Sequence, residues 1–194
     1  MIAIVKYNAG NVQSVEYALQ RIGVESEITD DIDRILRADK VIFPGVGHAY
    51  AAMESLRESG LDKIIVHLKQ PVLGICLGMQ LMCNHSQEGD TNCLGIFDTG
   101  IQLFESTVLK VPQIGWNNIY DYRSVMFEGL EEYAFVYTVH SYYAAVSKDT
   151  VAKTDYILPY SAALQKENFY GVQFHPEKSG LVGEIILRNF IEKT

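Results

Sequence analysis

Short apolar runs alternate with amphipathic stretches through the first half of the chain. Ile2–Val5 is apolar at every position, as in a strand buried on both faces of a sheet. Apolar residues then recur at helical spacing over 12–22, and Gly23 is a stop signal for that helix. The alternation continues with predicted strands over 24–28, 40–43 and 71–75 and predicted helices over 32–36, 53–56 and 61–68. This rhythm predicts βα units around a mostly parallel sheet.

The second half of the chain has a different pattern, a dense series of short strands separated by polar breaks. The predicted strands cover 108–114, 117–120, 133–139, 142–146, 151–158 and 169–174. A closing amphipathic helix runs through Leu181–Phe190, with Ser179 as its N-cap. We therefore expect an α/β fold with a doubly wound, mostly parallel central sheet, helices on both faces and antiparallel strands added in the C-terminal half. No linker or shift in composition divides the chain, so we expect a single domain over 1–194.

Charge and cysteine usage narrow the class of protein. The net charge of −8 argues against a general nucleic-acid-binding or anionic-membrane surface. No apolar run approaches the roughly 20 residues that span a bilayer, and Met1–Val5 is too short for the core of a signal peptide. Three cysteines without paired spacing fit a reducing compartment. We expect a cytoplasmic protein that binds neither nucleic acid nor membrane.

The pentapeptide Gly74–Gly78 places Cys76 between a predicted strand and a predicted helix, with a glycine two residues away on each side. This is the nucleophile-elbow pattern with Cys in place of Ser. Glycines permit the φ angles and the close backbone approach that such a turn needs. A helix N-terminus beside the sulfur would favour the reactive thiolate. A buried structural cysteine is the alternative interpretation, and the pentapeptide alone leaves both open.

His175 is the histidine best placed to act as a base for Cys76. It ends an apolar strand, and Pro176 favours an extended conformation at His175. Residues two apart in an extended segment point to the same side, so Glu177 can contact the imidazole directly. A carboxylate on one ring nitrogen would leave the other nitrogen for the cysteine. A histidine with satisfied hydrogen bonds at a strand end is the structural alternative.

Other chemistry in the sequence is weakly supported. Cys83, His85 and Cys93 lie close together, but their spacing matches no common zinc pattern and no fourth ligand is evident. There is neither a dinucleotide-binding fingerprint nor a Walker loop. We expect no metal and no cofactor.

Two motifs together carry a family resemblance. Gly74–Gln80 and Phe174–Glu177 resemble the class I (triad) glutamine amidotransferases, and the resemblance extends over essentially the whole chain. Pro44–Gly47 falls where that family places a second oxyanion-hole segment. Met79 and the segments Tyr7–Asn11 and Pro112–Asn117 are similar, within the family, to glutaminase subunits of imidazole glycerol phosphate synthases.

The resemblance implies a set of roles. Cys76 would be the nucleophile, His175 the acid and base, and Glu177 the group that orients His175. Backbone N–H groups of Leu77 and of Val46 or Gly47 would form the oxyanion hole. The implied glutamine-binding residues are Gly45, Gln80, Glu88, His140, Ser141 and Tyr142.

The resemblance also implies a substrate and a partner. The substrate would be L-glutamine, and the ammonia would be channelled to a (βα)₈-barrel cyclase in a heterodimer that makes imidazole glycerol phosphate and AICAR in histidine biosynthesis. A partner is physically reasonable because free ammonia in water mostly becomes ammonium and loses its nucleophilicity. The expected interface residues are Asn11, Trp116, Asn117 and Lys178.

Three alternatives remain at the level of sequence. The chain could serve a paralogous synthase, for example one that aminates a sugar, with the same glutaminase chemistry. It could be a hydrolase of the same fold that cleaves peptides or γ-glutamyl compounds. It could also be a catalytically silent partner-binding subunit, although the intact Cys76, His175 and Glu177 argue against this.

Overall fold

The computed structural model describes residues 1–8 and 10–194; Ala9, in the predicted Tyr7–Asn11 turn, lies outside the described residues. The strands are β1 (Ile2–Val5), β2 (Ser26–Thr29), β3 (Lys40–Gly45), β4 (Val72–Cys76), β5 (His85–Ser86), β6 (Thr91–Asn92), β7 (Gly100–Leu103), β8 (Gln113–Ile119), β9 (Ala134–His140), β10 (Tyr142–Ala144), β11 (Thr150–Tyr156), β12 (Leu158–Lys166) and β13 (Phe169–Val172). The helices are α1 (Val12–Arg21), α2 (Ile32–Arg37), α3 (Ala49–Ser59), α4 (Leu61–Ile65), α5 (Leu77–Leu81) and α6 (Gly180–Lys193). Short 3₁₀ turns cover Val125–Phe127 and Pro176–Lys178.

A seven-stranded sheet with the order β11-β12-β13-β4-β3-β1-β2 forms the centre of the molecule. The five strands from β13 to β2 are parallel, and β11 and β12 extend the sheet by antiparallel pairing. Beside it lie a four-stranded sheet with the order β10-β7-β5-β6 and a ribbon formed by β8 and β9. The predicted α/β architecture is confirmed, and the added strands both extend the main sheet and lie beside it.

The consecutive apolar residues of β1 are explained by burial on both faces. Ala3 and Val5 pack into one hydrophobic cluster with α2, α3 and α4, whereas Ile2 and Ile4 pack into a second with α1 and α6. All four side chains are buried. Helices therefore cover both faces of the sheet, as a doubly wound topology requires.

Several predicted boundaries in the second half were wrong. β12 was missed because Pro159 and Ser161 interrupt its apolar pattern, yet the strand is held between β11 and β13. The predicted strand over 108–114 begins only at Gln113, and the two-residue strands β5 and β6 are too short to give a periodic signal.

Two further differences concern helix ends. The predicted helix over 61–68 ends at Ile65. Ser179 precedes α6, but its hydroxyl donates to the His175 carbonyl at 2.7 Å and accepts from Tyr137 N–H at 3.0 Å instead of capping the helix. None of the helices described in residues 1–8 and 10–194 is long and apolar enough to cross a membrane.

Candidate active site

Cys76 occupies the sharp turn between β4 and α5. Its φ of 53° and ψ of −111° are unusual for a residue with a Cβ, and such a conformation costs on the order of 1–3 kcal/mol. The residue is buried, with 7% of its surface exposed. The predicted strand–Cys–helix turn is therefore present, although α5 has only five residues.

The flanking glycines serve close packing rather than unusual φ angles. A Cβ on Gly78 would lie 1.9 Å from the carbonyl oxygen of Phe43 in β3, and one on Gly74 would lie 2.6 Å from the sulfur of Met82. The described glycines with positive φ include neither of them, whereas Cys76 itself has positive φ. The expectation of close approach is confirmed, and the unusual backbone angle belongs to the cysteine.

His175 and Glu177 meet in the predicted way just after β13. His175 has an extended backbone, and its Nδ1 lies 2.8 Å from Oε1 of Glu177. The main chain is tied to β9, because His175 N–H donates to the Tyr137 carbonyl at 2.9 Å. Both side chains are buried, and Glu177 Oε2 has no hydrogen-bond partner among the described residues.

The electrostatics of His175 favour its charged form. Burial by itself would lower the pKa of the imidazole, but hydrogen bonding and charge interactions with Cys76 and Glu177 outweigh burial and raise the pKa to about 10. The side chains of Cys76, His175 and Glu177 are thus coupled electrostatically in one buried group.

Sheet topology explains why these distant segments converge. β13, β4 and β3 are adjacent and parallel, so their carboxyl ends meet at one edge of the sheet. Cys76 ends β4, His175 follows β13, and Gly45, which ends β3, pairs directly with Cys76. Ligands of open α/β sheets bind at this edge.

A pocket of about 310 Å³ opens at this edge, within the size range of small-ligand sites. Its lining residues are Val46, Gly47, Cys76, Leu77, Gln80, Glu88, Pro112, Val139, His140, Ser141, Tyr142, His175 and Lys178. Most of the sequence-predicted site residues are therefore brought together. Gly45 is an exception, since it lines a small adjacent cavity together with Asn11 and Glu177.

Gln80 and His140 line the pocket, but their side chains form hydrogen bonds with other residues of the protein. The Gln80 amide nitrogen donates to the Tyr142 carbonyl at 3.0 Å and to Gln173 Oε1 at 2.9 Å. His140 bonds the same carbonyl through Nδ1 at 2.8 Å and Tyr160 Oη through Nε2 at 3.1 Å. Burial lowers the pKa of His140 to about 4, so its ring is neutral at pH 7. Both ring nitrogens of His140 therefore form hydrogen bonds inside the protein, so a ligand in the pocket would contact the backbone of His140 and not its ring.

Glu88 presents a carboxylate to the pocket and also holds the segment that follows β3. Its Oε2 accepts from Ala49 N–H at 2.7 Å, at the start of α3. Ala49 comes two residues after Gly47, so one side chain links the pocket wall to the predicted oxyanion segment. The Glu88 side chain therefore lies at the pocket wall.

Sequence reasoning missed two buried polar residues of the site, Gln173 and Tyr160. Gln173 Nε2 lies 3.7 Å from Cys76 Sγ, and Tyr160 bonds both His140 and Gln113. The signal for Gln173 was available, since it precedes His175 by two residues on an extended segment and so shares its side. No local signal marked Tyr160, which lies on the unpredicted strand β12.

The expected interface residues differ in their surroundings. Trp116 is 57% exposed on the β8–β9 ribbon, and Lys178 is exposed at the pocket. Asn117, by contrast, donates from its side chain to the Asp155 carbonyl at 3.0 Å. Asn11 is exposed and precedes α1. Within the described part of the chain, no three His, Cys, Asp or Glu side chains come together as a metal site.

Comparisons with known proteins define the class. The family model for class I glutamine amidotransferases matches residues 3–194. Among solved structures, PurLQS from Thermotoga maritima resembles the chain with a TM-score of 0.72 at 17% identity, over 98% of this chain and 96% of the other, which supports the fold alone. The chain belongs to the class I glutamine amidotransferase family, and it is a glutamine amidotransferase.

Curated relatives narrow the family further. The chain is 58% identical over 193 residues to the imidazole glycerol phosphate synthase subunit HisH of Bacteroides fragilis strain YCH46, with 98% of both chains covered. It is 57% identical over 193 residues to the protein of the same name from Bacteroides thetaiotaomicron, again with 98% of both covered. Within the family, the chain therefore groups with the HisH subunits.

Proposed function

We propose that the chain is the glutaminase subunit of an imidazole glycerol phosphate synthase and acts in histidine biosynthesis. It hydrolyses L-glutamine to glutamate and ammonia, and a separate cyclase consumes the ammonia to make imidazole glycerol phosphate and AICAR. The observation that carries this proposal is the buried Cys76–His175–Glu177 group, in which two distant chain segments meet and Cys76 and His175 line one ligand-sized pocket. The high identity to HisH subunits supports the choice of synthase.

The first half of the reaction forms a thioester. Cys76 Sγ attacks the side-chain amide carbon of glutamine, and the carbonyl electron pair moves to oxygen. His175 then gives its proton to the nitrogen as the C–N bond breaks, and ammonia leaves. The raised pKa of His175 keeps this proton available at neutral pH.

Backbone N–H groups stabilise the negative oxygen. One donor is Leu77 N–H, directly after the nucleophile, and the second comes from Val46 or Gly47. The parallel pairing of Gly45 with Cys76 supports this assignment, because it places the residues after both strands side by side.

The second half hydrolyses the thioester. His175, now neutral, takes a proton from water as the water oxygen attacks the thioester carbon. The C–S bond breaks, glutamate leaves, and the thiolate is again paired with protonated His175. Glu177 holds Nδ1 throughout, so that Nε2 serves the reaction.

Charged and polar groups of the pocket distinguish glutamine from other amino acids. The Glu88 carboxylate suits the α-ammonium group, and backbone N–H groups around Ser141 suit the α-carboxylate. Gln80 offers its carbonyl oxygen, because both of its amide hydrogens are used internally.

The partner binds the exposed face of the β8–β9 ribbon. Ile114, Trp116 and Phe135 are each more than half exposed, and alternation along the strands places them with Tyr137 on one face. The ribbon leads to the pocket, since Val139 and His140 of β9 line it. Exposed apolar surface with aromatic residues is typical of a protein interface. A (βα)₈-barrel cyclase bound there would receive ammonia close to its origin.

An assay of glutamate release tests the proposal. The intact chain should hydrolyse glutamine in the presence of the cyclase subunit, and Cys76→Ala should lose this activity. Cys93→Ala is the matched control, because it removes a thiol that lies outside the pocket and should retain activity.

Other outcomes would contradict the proposal. Full activity of Cys76→Ala would remove the nucleophile assignment. Faster cleavage of γ-glutamyl peptides than of glutamine would support the hydrolase alternative.

A further inference from the structure

Gln173 is a buried polar side chain in direct contact with the sulfur of Cys76. Its amide nitrogen lies 3.7 Å from Sγ, and only 1% of the residue is exposed. Its backbone N–H donates to the Ala162 carbonyl of β12 at 2.9 Å, which holds the residue in the sheet. Gln173 is absent from the pocket lining, so it reaches the sulfur from inside the protein.

The orientation of the Gln173 amide follows from its hydrogen-bond partners. The Tyr142 carbonyl can only accept, so Gln80 must present its NH₂ group to it. The same NH₂ group donates its second hydrogen to Gln173, which must therefore present Oε1. The NH₂ group of Gln173 is then left to face Cys76 Sγ. The Tyr142 carbonyl thus fixes the orientation of the Gln80 amide and, through it, that of the Gln173 amide. These hydrogen bonds form a relay that ends at Cys76 Sγ.

Two polar groups in contact with Sγ favour opposite protonation states. The Val139 carbonyl, 3.8 Å away, can bond only the thiol, because it needs the S–H hydrogen. The Gln173 N–H bonds a thiolate far better than a thiol, because a neutral sulfur is a weak acceptor. The titratable side chains that interact electrostatically with Cys76 are His175, which also forms a hydrogen bond with it, and the buried phenols Tyr7 and Tyr160.

We infer that Gln173 is a further catalytic residue, which stabilises the Cys76 thiolate by donating a hydrogen bond, and that Gln80 is the positioning residue that fixes its direction. The inference rests on the proposed function, in which this thiolate is the nucleophile. It assigns Gln80 a role besides contact with glutamine.

The rate of Cys76 alkylation by iodoacetamide as a function of pH tests the inference, because the thiolate is the reacting form. The slow reaction of Cys76→Ala is subtracted as background from the other thiols. Gln173→Met keeps the size of the side chain and removes the donor. We expect the midpoint of its pH profile to rise by about one unit, so that alkylation below the midpoint slows about tenfold. The limiting rate at high pH should change little.

A matched control separates this effect from a loss of packing. Ser161→Ala removes a fully buried hydroxyl of neighbouring β12, which bonds Thr150 and the Ala145 carbonyl. Its alkylation midpoint should equal that of the unmodified chain. A merely structural role of Gln173 would lower the melting temperature without moving the midpoint, and that result would overturn the inference.

A second variant exchanges the donor and acceptor ends of the Gln173 amide. It keeps the inference testable if Gln173→Met does not fold. In Gln80→Glu, burial favours the protonated carboxyl group, whose O–H donates to the Tyr142 carbonyl and whose other oxygen is presented to Gln173 as an acceptor. The Gln173 amide then turns its NH₂ group toward this oxygen and its own oxygen toward the sulfur. The same upward shift of the midpoint is expected, and an unchanged midpoint in this folded variant contradicts the inference. Alkylation needs no glutamine, so failure of the glutaminase proposal would be seen separately in the Cys76→Ala activity assay.

Discussion

At the scale of single residues, Cys76 and His175 are defined by what surrounds them. Cys76 has a strained backbone and two polar neighbours at its sulfur with opposite effects on ionisation. His175 is buried but keeps a high pKa, because Glu177 and Cys76 favour its charged form. Removal of one carboxylate charge should therefore change how the imidazole titrates.

Glu177→Gln tests this electrostatic role. The pKa of His175 is raised to about 10, so the protonated form persists through neutral pH. Without the carboxylate charge, the remaining hydrogen bond to the amide oxygen is weaker and burial lowers the pKa of His175, so the proton is lost at a lower pH. We expect the alkaline limb of the glutaminase pH–rate profile to move to lower pH, with the maximal rate reduced by about 10³–10⁴-fold. An alkaline limb that does not move would show that Glu177 does not set the titration of His175.

At the scale of elements, β3, β4 and α5 pack so closely that backbone meets backbone. The Phe43 carbonyl occupies the space that a side chain at Gly78 would need. This contact brings the end of β3 against the turn that carries Cys76, which is the arrangement needed to present two oxyanion donors together.

Gly78→Ala should therefore separate β3 from α5. A Cβ 1.9 Å from a backbone oxygen cannot be accommodated by a rotamer change, so we expect the free energy of unfolding to fall by about 3 kcal/mol or more. Gly100→Ala is the control, because its Cβ would lie 3.8 Å from the nearest other atom and its φ is not positive. Urea denaturation measures both, and equal stabilities would contradict the packing argument.

At the scale of the whole molecule, the pocket and the exposed ribbon face are continuous. Val139 of β9 pairs with Ile114 on the exposed face and also lines the pocket, and on the same face the rings of Trp116 and Tyr137 have their centroids 5.9 Å apart. A partner bound to this face would therefore lie beside the pocket that contains Cys76 and His175.

Trp116→Ala should weaken association with the cyclase subunit by about ten- to a hundredfold, because a large aromatic side chain at the centre of an interface contributes strongly to binding. Titration calorimetry with the cyclase measures the dissociation constant. Leu36→Ala on α2 is the control, since Leu36 is similarly exposed but lies on a helix that packs with β1, away from the ribbon. Equal affinities of the two variants would place the partner elsewhere.

The sequence by itself determined the parallel core, the strand–Cys–helix turn and the His175–Glu177 contact. Each depends on local periodicity or on a spacing of two residues in extended chain, which an isolated segment already expresses. The tertiary structure decided the position of β12 between β11 and β13 and the hydrogen bonds of the His140 ring inside the protein. It also decided the hydrogen bonds that run from the Tyr142 carbonyl through Gln80 and Gln173 to the Cys76 sulfur. These features arise where strands distant in sequence are placed side by side, and only then does a buried amide have a partner that fixes its direction.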